Sequence, residues 1–127
     1  MTSQPVEALL PSADDGRSLA KVAARAAEDK LGVDTVVLDV EELLQVVDAF
    51  VITAGRNTRQ VDSIVEAIEA ATKAEVGRGP ERIEGRNDGS WVLMDYGDLM
   101  VHVFLEETRS FYDLEHLWSA APRLPFS

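Results

Sequence analysis

Two apolar runs joined through one tight-turn sequence, WVLMDYGDLMVHVF over residues 91–104, constrain the fold more than any other part of this chain. Successive residues of a strand point to opposite faces, so each run sorts its side chains into two sets. Gly97, within Asp95-Tyr96-Gly97-Asp98, makes a hairpin the economical connection. With Tyr96 and Gly97 at the centre of the turn, the predicted pairs are Asp95 with Asp98, Met94 with Leu99, Leu93 with Met100, Val92 with Val101 and Trp91 with His102. One face then carries Val92, Met94, Leu99, Val101 and Val103, entirely apolar and fit to pack beneath helices.

The opposite face carries Trp91, Leu93, Asp95, Asp98, Met100, His102 and Phe104. Large rings, a flexible methionine, carboxylates and an imidazole together resemble the centre of an interface more than a dry core. The alternative is that the following segment folds back over it. That segment, residues 106–118 (EETRSFYDLEHLW), reads as a helix in which Arg109 pairs with Glu106 or Asp113. Its apolar stripe of Phe111, Leu114 and Trp118, joined by Leu117, is expected to dock on the sheet, with Tyr112 and His116 at the rim. Asp95 and Asp98 would need a third ligand or a shaped pocket to act as a metal or acid–base pair, and two aspartates at a turn are more often turn formers. A lone His102 in a strand reads as a hydrogen-bonded structural residue.

Upstream, residues 15–30 form a helix with Leu19, Val22, Ala23, Ala26 and Ala27 on one side, and Gly32 is its natural stop. Residues 34–40 (DTVVLDV) and 48–54 (DAFVITA) are nearly continuous apolar strands of the kind buried on both faces, joined by a short helical turn at 41–47. The longest helix runs from Asn57 to about Val76. Asn57 and Gln60 have the spacing of a capping box, Val61, Ile64, Val65, Ile68 and Ala71 supply the buried stripe, and Gly77, Gly79 and Pro80 end it. Residues 81–84 (ERIE) make a short, charged edge strand. Strands alternating with helices predict an α/β domain. Residues 1–17 read as a loose lead and 122–127 as a short extended tail.

A chain of 127 residues buries about two-thirds of its unfolded surface and supports its own core. It has no cysteine, which removes disulfides, zinc–thiolate sites and cysteine nucleophiles. Its start lacks a basic, apolar leader, and no stretch reaches the roughly 20 apolar residues of a membrane span, so a cytoplasmic protein is expected. With 23 acidic and 12 basic residues, the net charge of −11 repels phosphate backbone and attracts a basic protein.

Several short segments carry a resemblance to the Iojap family, the bacterial ribosomal silencing factors. They are Asp48-Ala49-Phe50-Val51-Ile52 with Gly55 and Arg59-Gln60-Val61, Glu84-Gly85, Trp91 to Asp98, Val101 to Phe104, Arg109, Tyr112 to Glu115, and Leu117-Trp118. The resemblance spans residues 18–121, which are expected to be the domain. It implies a single mixed sheet of about five strands flanked by helices, similar to nucleotidyltransferases. It also implies a homodimer, and a non-catalytic repressor without cofactor or metal that binds the large ribosomal subunit through its protein number fourteen and blocks joining of the small subunit when nutrients are scarce. Asn57 stands where the family commonly has serine; either caps a helix.

Joined to the acidic charge, this predicts a partner surface of Glu84, Trp91, Leu93, Asp95, Tyr96, Asp98 and Met100, with Trp91 and Trp118 in different roles. Two other readings remain open. Arg56 and Arg59 at a helix N-terminus suit a phosphate and hence a nucleotidyltransferase-type enzyme. Burial of the hairpin face between two copies would make the chain a structural dimer module.

Overall fold

The computed structural model describes residues 15–126. Asp15 caps the first helix, α1 (Gly16–Asp29), its carboxylate accepting from the Ser18 N–H. The chain then passes through Leu31 in a left-handed conformation (φ 63°), so the stop expected at Gly32 is made one residue earlier. Gly32 answers a different constraint: a Cβ there would lie 2.5 Å from the Thr53 hydroxyl oxygen.

Strand β1 (Val33–Asp39), the short helix α2 (Glu41–Leu44) and strand β2 (Ala49–Gly55) follow, then the long helix α3 (Thr58–Val76). Asn57 caps α3 by accepting from the Gln60 N–H at 2.8 Å. The Gln60 side chain does not close the expected box on Asn57. Its oxygen takes the Arg56 N–H at 2.7 Å, while its amide nitrogen donates to the carbonyls of Lys30 and Leu31, tying the start of α3 to the end of α1. At the other end Gly77 takes a left-handed φ of 77°. Strands β3 (Arg82–Glu84), β4 (Trp91–Asp95) and β5 (Leu99–Leu105) complete the sheet, and two short helices, α4 (Glu106–Tyr112) and α5 (Leu114–Leu117), follow.

The five strands form one mixed sheet in the order β1-β2-β5-β4-β3. Only β2 and β5 are parallel, with Val51 beside Val101 and Thr53 beside Val103. Every residue of β2 is buried, which is why its sequence shows no polar alternation. On one face α1 and α3 cover Val37, Val51, Val92, Met94, Leu99, Val101 and Val103. The other face holds a second core of Leu38, Val40, Val47, Phe50, Ile52, Ala54 and Phe104, against which Leu44, Leu114 and Trp118 pack.

The C-terminal residues do more than trail away. The Leu124 N–H donates to the Val37 carbonyl at 2.9 Å and the Asp39 N–H to the Pro122 carbonyl at 2.8 Å. These bonds satisfy outward backbone groups of β1 that a sheet edge otherwise leaves unpaired.

Three further expectations from the sequence are corrected. The hairpin turns about Gly97 and Asp98, not Tyr96 and Gly97: the Tyr96 N–H donates to the Leu99 carbonyl, and the pairs are Asp95 with Met100, Met94 with Val101, Leu93 with His102, Val92 with Val103 and Trp91 with Phe104. Gly97 takes φ 90°, the left-handed geometry such a turn requires. Pairing slips by two residues, which equals the strand period, so the division into faces survives. The expected helix over 106–118 is broken at Asp113 (φ 48°, ψ 55°), which turns the two halves apart. Arg109 pairs with neither Glu106 nor Asp113. It is buried, donating to the backbone carbonyls of Val33 and Asp34 at 2.7 Å each and to Glu115 at 2.8 Å, and so it rivets α4 and α5 to the irregular start of β1.

Candidate partner-binding face

The register places Trp91, Leu93 and Asp95 of β4 on the same face as Phe104, His102 and Met100 of β5. On the outer side, β3 sets Glu84 beside Leu93 and Arg82 beside Asp95. The short helices pack toward β1, β2 and β5, so Leu93, Met100 and Trp91 remain only partly buried and Glu84 is exposed. The result is an open aliphatic and aromatic strip, edged by carboxylates, lying on a rigid sheet.

Trp91 is held in one orientation. Its indole N–H donates to His102 Nδ1 at 3.1 Å, and its ring lies 4.8 Å from Phe104 and 4.9 Å from Tyr112 between centroids. His102 is 8% exposed and meets Phe50 edge to face at 5.0 Å. Because Nδ1 accepts, the proton of the neutral ring sits on Nε2, which has no hydrogen-bond partner among the described residues. Burial disfavours a second proton and pushes the imidazole down to about 4. The result is a neutral, immobile platform under Trp91.

Asp95 is also fixed. It accepts from Arg82 at 3.0 Å and from the Gly97 N–H at 2.8 Å, and these bonds, the Arg82 one foremost, hold its carboxyl below the usual carboxylate range. Glu84 shares Arg82 at 3.9 Å. Thus five of the seven expected residues, Glu84, Trp91, Leu93, Asp95 and Met100, come together.

The other two do not. Tyr96, expected on the partner surface, is 1% exposed in the helix-side core, where its hydroxyl meets that of Thr72 at 2.9 Å. The reason is the shifted turn: Tyr96 extends β4 with the parity of Met94 and points under α3. Burial raises its phenol to about 12. Asp98 is taken up by a two-pronged contact with the Arg78 guanidinium at 2.9 and 3.1 Å, while its backbone carbonyl accepts from Asp48.

The docking stripe is likewise corrected at one end. Leu114 and Trp118 do pack on the second core, Trp118 edge to face with Phe50 at 5.3 Å, but Phe111 is 81% exposed and Leu117 72% exposed. The break at Asp113 removes Phe111 from the stripe and sets it beside Tyr112, 5.0 Å away. No pattern in the sequence signals this, because helical spacing alone joins 111, 114 and 118.

Among the described residues no group of three or more His, Cys, Asp or Glu is placed to hold a metal. At the start of α3, Arg59 lines a depression with Asp62, Arg86 and Asp88, but Arg86 there is bound by Asp62, Glu66 and Glu69. A phosphate entering it would meet more negative charge than positive.

Comparison with known proteins gives a consistent answer. The family model for "ribosomal silencing factor during starvation" matches residues 13–127. A ribosomal silencing factor of Bacillus subtilis is 41% identical over 106 residues, covering 84% of this chain and 89% of its own. A mouse protein named for mitochondrial assembly of the large ribosomal subunit is 33% identical over 88 residues, covering 68% of this chain and 39% of its own. A crystal structure of a Chromobacterium violaceum protein superposes with a TM-score of 0.77 at 33% identity, covering 89% of this chain and 92% of that one. With the mixed five-stranded sheet and the open hairpin face already in view, these matches show that the chain belongs to the ribosomal silencing factor family.

Proposed function

We propose that this protein represses translation by binding the large ribosomal subunit through the open half of its sheet, against a basic ribosomal protein, and thereby sterically blocking the small subunit. The resemblance in sequence points to the subunit's protein number fourteen. The observation that carries the reading is the strip of Trp91, Leu93 and Met100, partly exposed and edged by Glu84 and Asp95, on a family member with net charge −11. Apolar side chains fixed on a rigid sheet lose little entropy on binding and supply affinity at the centre of an interface, while the carboxylates select a basic partner and speed encounter. The large-subunit name of the mouse relative supports the choice of subunit. The protein acts without catalysis, and the same resemblance implies a homodimer, which sedimentation analysis reads directly.

Co-sedimentation with purified large subunits tests the face. Trp91→Ala should weaken binding by about 2 kcal/mol or more, roughly 30-fold in Kd. Glu84→Lys, on an exposed edge residue, should slow association most at low ionic strength. If both variants keep the wild-type urea midpoint and bind as the wild type does, another surface carries the partner.

A further inference from the structure

A second groove adjoins the open strip and shares Trp91 with it. It lies between the start of β4 and the outer side of α4, has a volume of about 460 Å³, and is lined by Ser90, Trp91, Glu107, Thr108, Phe111 and Tyr112. Three aromatic rings converge there: Trp91 and Tyr112 are inclined at 47° with centroids 4.9 Å apart, and Phe111 meets Tyr112 at 90°. The Trp91 ring does not swing away, because His102 holds its N–H and Phe104 its inner side. Glu106 and Glu107 are exposed and take part in no ion pair among the described residues. Glu107 lines the groove itself, with Glu106 next to it in sequence and outside the lining, and the N-terminal dipole of α4 offsets only about half a charge, so the groove stays negative.

We infer that this groove seats one arginine side chain of the basic protein on which the chain docks, the guanidinium packed against the cluster of Trp91, Phe111 and Tyr112 rings with its edge donating to Glu107. The inference rests on the proposed large-subunit reading and adds the chemistry of the contact. A guanidinium is planar and weakly hydrated across its faces, with its donors in the plane, which suits rings beside a carboxylate better than a compact ammonium does. An aliphatic side chain would leave Glu107 unused, and an acidic one would be repelled by it. It also gives a reason for a phenylalanine as exposed as Phe111 on the surface of a single chain.

Two measurements on the full chain decide it. In an NMR titration, N-acetyl-arginine amide should shift the Trp91 indole N–H and the Phe111 and Tyr112 ring signals, leave the Trp118 indole in place, and bind about fivefold more tightly than N-acetyl-leucine amide. Glu107→Gln should remove that preference. Equal response to the two probes, or a preference that survives Glu107→Gln, overturns the inference. In co-sedimentation, Phe111→Ala and Glu107→Gln should each weaken large-subunit binding several-fold. If the wild type binds large subunits and both variants bind equally well, the groove is not the contact although the functional reading stands. If the wild type does not bind large subunits, that reading fails and with it the arginine's assigned source, while the titration still reports whether the groove takes a guanidinium. Conversion of a dimer to a monomer by Phe111→Ala would assign the groove to a second copy instead and overturn the inference.

Discussion

His102 should make the stability of this protein depend on pH in a range where its carboxylates contribute little. In the folded chain burial pushes the imidazole down to about 4, whereas an unfolded histidine titrates near 6.5. Between these values the unfolded chain binds a proton that the folded chain refuses, so stability rises with pH across the window. The contribution is fully present above about pH 6.5 and is lost as pH falls toward 4. A gap of two to three pH units corresponds to about 3 kcal/mol at completion, most of it lost by pH 4.5. That is a large part of the 5 to 15 kcal/mol typical of a domain. Urea denaturation at pH 7.5, 6.5, 5.5 and 4.5, on wild type and His102→Gln, isolates the effect. Glutamine retains an oxygen to accept the Trp91 N–H but does not titrate, and the carboxylates are common to both proteins. The wild type should lose about 2 to 3 kcal/mol more than the variant between pH 7.5 and 4.5. Parallel pH profiles for the two would refute a buried neutral imidazole beneath Trp91.

Three further expectations concern the scaffold. Tyr96→Phe should lower stability by about 1 kcal/mol in urea melts, because the buried hydrogen bond to the Thr72 hydroxyl is lost and that hydroxyl keeps only the Glu69 carbonyl, and should leave large-subunit binding unchanged; loss of binding with the fold intact would return Tyr96 to the partner surface. Gly85→Ala should cost several kcal/mol, since Gly85 has φ 83° and an added Cβ would lie 2.2 Å from the Trp91 carbonyl oxygen; a thermal midpoint within 2 °C of wild type would contradict the packing described. Arg109→Gln should cost about 3 kcal/mol by stranding Glu115 and two carbonyls at the start of β1, and the amide protons of β1 should exchange faster.

Where the sequence was legible, the reason was periodicity. The apolar run of β2, the 3.6-residue stripe of α3 and the two-residue alternation of β4 and β5 each bury the side chains they predict, because burial depends on face and face depends on period, whereas β1, expected to be buried on both faces, lies at the sheet edge and leaves Val36 only partly buried. The hairpin pairing was wrong by two residues yet the faces were right, for the same reason. Tyr96 and Asp98 were the casualties, since moving the turn centre by one position converts Tyr96 from a turn residue into a core residue and Asp98 from a strand residue into a turn residue held by Arg78. Illegible features were those set by distant partners. Leu31 takes a left-handed backbone that leucine disfavours, and Asp113 one that aspartate tolerates but that nothing in the helical pattern announces; Arg109 crosses to β1; the C-terminal residues pair with an edge strand far away in sequence. Phe111 follows from Asp113, and with it the aromatic groove.

Joining of purified ribosomal subunits, read as the fraction sedimenting as whole ribosomes after prior incubation of large subunits with this protein, tests the central claim most directly. Wild-type protein should reduce that fraction in a dose-dependent way, and Leu93→Lys, which places a like charge on the strip facing a basic partner, should leave joining intact while keeping the wild-type urea midpoint. Normal joining in the presence of excess wild-type protein, or equal inhibition by a folded Leu93→Lys, would contradict it.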